Sequence, residues 1–138
     1  MILIEPGLEV IVVDDNAADL LITDIVFQRS QLTNPIALLD SGEAAVAHLG
    51  KIATQGLPPP ALVMLDVNMY GITGFDVLRF IRQQEAFSEQ PPVALLTSSD
   101  SQTDKQRSVE LGANAFLAKK SGVAPFIEMI NANFKNRG

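Results

Sequence analysis

The chain has 138 residues, 47% hydrophobic and 19% charged, with a formal net charge of −6 and no cysteine. Its length suits one compact domain, and the lack of thiols excludes a disulfide framework or a thiolate metal site. The acidic total argues against nucleic-acid binding by counterion release; Met1–Glu9 lacks the basic start of a signal peptide, and no apolar run approaches the ~20 residues of a membrane helix. A cytoplasmic protein is therefore expected. Charge is uneven along the chain. Residues 1–50 hold eight acids and one Arg, a net of −7, whereas residues 115–138 hold Lys119, Lys120, Lys135 and Arg137 against Glu128, a net of +3. Most of these charges read as a solvated surface of mixed sign. Asp14-Asp15 is the exception.

The first short apolar run is Val10–Val13. Behind it, Ala18, Leu21, Ile22 and Ile25 fall at helical spacing, with Asp15 or Asn16 as N-cap. The second run, Ile36–Leu39, precedes Ser41-Gly42-Glu43, which opens a helix containing Ala44, Ala45, Ala47 and Leu49. That helix ends near Gly56, since Pro58-Pro59-Pro60 cannot continue it. After the third run, Ala61–Leu65, residues Val77, Leu78 and Ile81 make one apolar face. The fourth run, Val93–Leu96, leads to a mostly polar helix from Ser101 to Leu111, with Val109 and Leu111 as its main anchors. The fifth, Ala115–Ala118, is followed by a stripe of Val123, Phe126, Ile127, Ile130 and Phe134. Runs this short and continuous suit strands buried on both faces of a parallel sheet. The repeating strand–helix pattern implies an α/β protein with a doubly wound, open parallel sheet between two helical layers.

Ligands of such sheets bind outside the carboxyl ends of the strands. Asp14-Asp15 stands there after the first strand, Asp66 after the third, Thr97 in Leu96-Thr97-Ser98-Ser99 after the fourth, and Lys119 after the fifth. Three carboxylates brought together repel, so a cation must offset them. Oxygen ligands without His or Cys favour Mg²⁺. A carboxylate beside Mg²⁺ and a lysine can accept a phosphoryl group, while metal, ammonium and hydroxyl stabilise its oxygens. Each residue alone has an ordinary explanation: a helix cap, a turn former, a strand-end hydroxyl, a surface lysine. Their coincidence on one rim favours a site. His48, in the second helix, stands away from the rim and reads as an ordinary helix residue, and Met64 and Met69 read as packing.

At these positions the chain resembles the response-regulator receiver domains of two-component signalling. The matching segments are Val12-Val13-Asp14-Asp15-Asn16, Leu65-Asp66-Val67-Asn68-Met69, Gly71 and Gly74, Leu96-Thr97-Ser98, and Gly112 to Lys119. The resemblance implies a flavodoxin-like (βα)5 fold with strand order 2-1-3-4-5, as a chemotaxis member of the family has. It implies a single receiver domain over residues 1–138, with its core at about 9–134 and no output domain. By the same resemblance Asp66 is the phosphoacceptor. Asp14, Asp15, Asp66 and the Asn68 carbonyl would serve Mg²⁺, Thr97 and Lys119 would hold the phosphoryl group, and Thr97 and Phe116 would form the switch. A sensor histidine kinase is the implied donor. A downstream protein or a histidine phosphotransfer domain is the implied recipient, and the face of the fourth and fifth helices the docking or dimer surface.

Tyr70 and Lys120 stand where the family often has proline. A non-proline cis bond costs ~2.5–4 kcal/mol, so a trans Lys119–Lys120 bond is expected. The longer link from Gly56 to Pro60 resembles single-domain receivers that partner phytochrome-type kinases. Two other readings are a degenerate receiver that only binds partners and a small aspartate-nucleophile phosphatase. The first would lack an acid, the Thr or the Lys; the second would carry its Asp-x-Asp motif on the first strand, whereas Asp66-Val67-Asn68 follows the third.

Overall fold

The computed structural model describes residues 1–98 and 101–138. In chain order the first half holds β1 (Ile2–Ile4), β2 (Val10–Val13), α1 (Ala17–Arg29), β3 (Ile36–Leu39), α2 (Gly42–Thr54) and β4 (Leu62–Asp66). The second half holds α3 (Gly74–Gln83), a 3-10 turn at Glu85–Phe87, β5 (Val93–Thr97), α4 (Gln102–Glu110), β6 (Ala115–Ala118), α5 (Val123–Asn133) and β7 (Phe134–Asn136). Five strands form one sheet in the order β3-β2-β4-β5-β6, every neighbouring pair parallel. Counting only the strands of that sheet, this is the expected order 2-1-3-4-5. The third and fourth strands end at Asp66 and Thr97, as expected. Ser99, expected just beyond the fourth, lies outside the described residues.

Side chains alternate across each strand, so the sheet has two buried faces. Val10, Val12, Leu62, Met64 and Leu96 pack with Val26 and Phe27 of α1 and Phe126 and Ile130 of α5. Ile11, Val13, Val63, Leu65 and Leu95 pack with Leu49 of α2 and Val77, Leu78 and Ile81 of α3. Four helices start on a side-chain cap from Asn16, Ser41, Thr73 or Ser101, and Thr73 forms a reciprocal capping box with Asp76. Among the described residues, no helix is long and apolar enough to cross a membrane.

Three features depart from the sequence expectations. The stripe Ala18, Leu21, Ile22 and Ile25 marks α1 but faces outward, with Leu21 61% exposed; the helix buries Leu20, Thr23, Val26 and Phe27 instead. Apolar residues occupy nearly every side of α1, and the sheet takes the side that carries its phenylalanine. Val109 does not anchor α4: it is 67% exposed, and Ser108 is the residue that α4 buries. Arg107 of α4 lies instead over the Phe75 ring, 4.4 Å from its centroid. Finally, Phe134 is not the end of the last helix but the buried start of β7, which pairs with β1 in a separate two-stranded parallel sheet. Buried Asn34 fastens this clasp by donating to the Glu5 and Leu8 carbonyls at 2.6 and 2.7 Å and accepting from Asn136 at 2.6 Å.

Candidate functional site

The sheet register brings the carboxyl ends of four strands level. Val13 stands opposite Leu65, Asp66 opposite Leu96, and Thr97 opposite Ala118. Asp14, Asp66, Thr97 and Lys119 therefore leave the sheet side by side. Asp14 and Asp66 are buried, at 2% and 5% exposure, and so is Thr97; Asp15 and Asn68 are exposed. Gly74 lets the β4–α3 loop close over the end of β4, because a Cβ there would collide with the Asp66 carbonyl oxygen.

Backbone N–H groups orient the acids. Asn16 donates to Asp14 Oδ1 at 2.9 Å, Asn68 to Asp66 Oδ1 at 3.1 Å, and Tyr70 to Asp15 Oδ2 at 2.9 Å. The other oxygens of Asp14 and Asp66 each accept from Lys119 Nζ at 3.1 Å. Asp14, Asp15 and Asp66 each offer an oxygen within 4.8 Å of the others, which makes them a possible metal-binding group. The donors are oxygens alone, which suits a hard divalent cation.

Burial, and then the charge of Asp14, pushes the Asp66 carboxyl up from 3.8 to about 6, against the pull of the Asn68 N–H and of Lys119. Burial also works against the charge on Lys119. Its hydrogen bond to Asp19 and the charges of Asp66 and Asp14 outweigh that and hold the ammonium above the usual lysine range. The result is a charged lysine between acids, one of which is costly to ionise.

The rim thus brings together Asp14, Asp15, Asp66 and Lys119, with Thr97 beside them. Phe116, in β6, stands apart, half-buried against the core on the α2–α3 side. The Lys119–Lys120 bond is trans as expected, since the cis bond among the described residues is Gln90–Pro91. His48 sits near the amino ends of the strands, with Nε2 at 2.7 Å from Glu9 Oε1. Met64 and Met69 are buried packing residues. Asp19 escapes the sequence argument although it touches Lys119 at 3.0 Å. An acid in the first turn of a helix reads as a complement to the helix dipole; the available signal is its place one turn beyond Asp15.

The model of the response regulator receiver domain matches residues 10–131. The response regulator Rcp1 of Synechocystis sp. is 29% identical over 126 residues, covering 91% of this chain and 85% of Rcp1. The structure of its Mn²⁺-bound form superposes with a TM-score of 0.77 at 28% identity, covering 91% of each chain. A response regulator in red-light signalling of R. palustris is 30% identical with a TM-score of 0.77, covering 90% of this chain and 89% of that one. A bacteriophytochrome response regulator is also 30% identical, with a TM-score of 0.73 and 90% of each chain covered. By its fold, its acidic rim and the extent of the family match, this chain belongs to the response-regulator receiver domains of two-component signalling, phosphoacceptors rather than conventional enzymes.

Proposed function

We propose that the chain accepts a phosphoryl group on Asp66 from a sensor histidine kinase, with Mg²⁺ held by Asp14, Asp15, Asp66 and the Asn68 backbone carbonyl. The observation that carries this reading is the buried Asp66 carboxylate, bonded to Lys119 and within reach of two further acids at the open end of the sheet. The relative described as Mn²⁺-bound supports a divalent cation at such a rim. Bound there, the ion offsets charge on the transferring oxygens. An Asp66 oxygen attacks phosphorus as the P–N bond to the kinase histidine breaks. The bonding pair leaves on that nitrogen, and the ring departs as neutral imidazole with the proton on its other nitrogen. Lys119 then pairs with one phosphoryl oxygen, and the Thr97 hydroxyl donates to another.

A histidine that reaches Asp66 must be carried by a protein that lands on the elements bordering the rim. The outward apolar face of α1, with Leu21, Ile22 and Ile25 exposed, supplies such a surface. The two relatives named for bacteriophytochrome and red-light signalling support a phytochrome-type kinase as donor. The absence of cysteine supports placing the exchange in the cytoplasm.

The signal would then spread by population shift: Thr97 moves toward the phosphoryl group and Phe116 fills the space it leaves. Phe116 has no hydroxyl, so its steric occupancy reports the change. Helix α4 suits this role because it buries so little, with Ser108 its buried residue and Val109 outward. The face of α4, β6 and α5 would meet a downstream protein, a histidine phosphotransfer domain or a second copy.

Intact-protein mass spectrometry tests the reading. With a phosphorylated kinase or a small phosphodonor and Mg²⁺, one phosphoryl group should be added, and none in Asp66→Asn or with chelator. Persistent labelling of Asp66→Asn would refute the site. Hydrogen exchange should change across α4 and β6 on adding beryllofluoride and Mg²⁺; a change confined to the rim would refute the switch.

A further inference from the structure

Asp19 has no part in the scheme above, yet it is as close to the lysine as either buried acid. Lys119 Nζ lies 3.0 Å from Asp19 Oδ2 and 3.1 Å from both Asp14 Oδ2 and Asp66 Oδ2. An ammonium has three donors, and here each meets a different carboxylate. Those partners are not equivalent. Asp14 and Asp66 belong with Asp15 to the group that could hold a metal ion, and Asp19 does not. A divalent cation in that group would draw on the oxygens of Asp14 and Asp66 and repel the ammonium as a like charge. Asp19 would then be the partner Lys119 keeps.

Its position supports such a role. The first turn of α1 is fixed by the Asn16 cap, which accepts from the Asp19 N–H at 3.0 Å. The Asp19 side chain is 42% exposed and reaches inward to a lysine that is 23% exposed. Besides the backbone bond from Lys119 N to the Thr97 carbonyl at 2.8 Å, it is side-chain partners that place the ammonium.

We infer that Asp19 is a positioning residue that keeps the Lys119 ammonium beside Asp66 while a divalent cation occupies the carboxylate group. The inference rests on the phosphoacceptor reading and adds to it a residue acting through the lysine.

Asp19→Asn and Asp19→Ala separate this role from a simple charge effect. Both remove the same charge from the start of α1, but only the asparagine keeps an oxygen that can accept from Nζ. With Mg²⁺ and acetyl phosphate, phosphorylation of Asp66 should slow about tenfold in Asp19→Ala and stay within about threefold of the parent in Asp19→Asn. A second measurement needs no phosphoryl transfer. In the Mg²⁺-loaded protein, labelling of the Lys119 amine by an amine-reactive reagent, read by peptide mass mapping, should rise several-fold in Asp19→Ala and not in Asp19→Asn. Lys120 serves as the internal reference. Thermal melting of each variant checks that it is folded, and Asp19→Ser, too short to reach Nζ, replaces the alanine if it is not. Equal behaviour of the short variant and the asparagine, faster phosphorylation in the short variant, or unchanged labelling of Lys119 in it would overturn the inference. If the parent accepts no phosphoryl group, the phosphoacceptor reading fails, while the labelling comparison still decides the role of Asp19.

Discussion

At the amino-terminal end of the sheet, buried Asn34 gives its amide hydrogens to the Glu5 and Leu8 carbonyls and takes one from Asn136. At the carboxyl end, buried Asp14 and Asp66 share the ammonium of Lys119 with Asp19, while Asp15 stands beside them. Both ends bury polar side chains, and among the described residues no buried side-chain nitrogen or oxygen lacks a hydrogen-bond partner. Charge separates them. The hydrogen bonds around Asn34 join neutral amides and carbonyls, so they call for no charge from outside. The rim sets four carboxylates around one ammonium, and its hydrogen bonds leave an excess of negative charge. A satisfied network can thus be structural at one end and receptive at the other.

Removing the shared cation should break this comparison most. In chelator at pH 8, Lys119→Ala should lose about 2–4 kcal/mol of stability, because buried acids are left unpaired. The loss should shrink at pH 5, where Asp66 can take a proton. Urea denaturation at the two pH values measures it; an equal loss at both would mean that the lysine acts by packing alone.

Removing the Asp66 charge should have the opposite sign. The carboxyl of Asp66 is raised from 3.8 to about 6 in the folded protein. Between those values the folded state binds more protons than the unfolded one, so stability falls as pH rises through the window. Asp66→Asn should therefore stabilise the metal-free protein by about 1–3 kcal/mol above pH 7, with the gain fading toward pH 4. Destabilisation at pH 8 would contradict this account of the rim.

At the other end, Asn34→Ala should cost about 1–2 kcal/mol by stranding two carbonyls. That cost should be the same with and without Mg²⁺ and between pH 6 and 8, and phosphorylation should be untouched. The smallest stability effect should come from the outer face of α1: Leu21→Ser should change stability by less than about 0.5 kcal/mol. It should nevertheless slow transfer from a kinase while leaving a small phosphodonor unaffected. Equal slowing with both donors would remove α1 from the docking surface.

The rim was legible in the sequence because buried parallel strands announce themselves as unbroken apolar runs, and the residues after them must emerge on one edge. Asp14, Asp15, Asp66, Thr97 and Lys119 follow from that rule. The inward side of α1 was not legible, since Leu21, Ile22 and Ile25 are as apolar as Leu20, Val26 and Phe27, and helical spacing does not choose between them. The clasp was hidden for a different reason. Its strands are three residues long, β7 contains Lys135 and Asn136, and the pairing partners stand at opposite ends of the chain. Asp19 belongs to the same class: its partner is 100 residues away, and only the folded sheet brings Lys119 to it.

The most direct test of the central claim is chemical trapping of the phosphorylated residue. Borohydride reduces an aspartyl phosphate to homoserine, which peptide sequencing locates. After incubation with acetyl phosphate and Mg²⁺, homoserine should appear at position 66 alone, and chelator should abolish it. Homoserine at Asp14 or Asp15, or an Asp66 yield indifferent to chelator, would contradict the account.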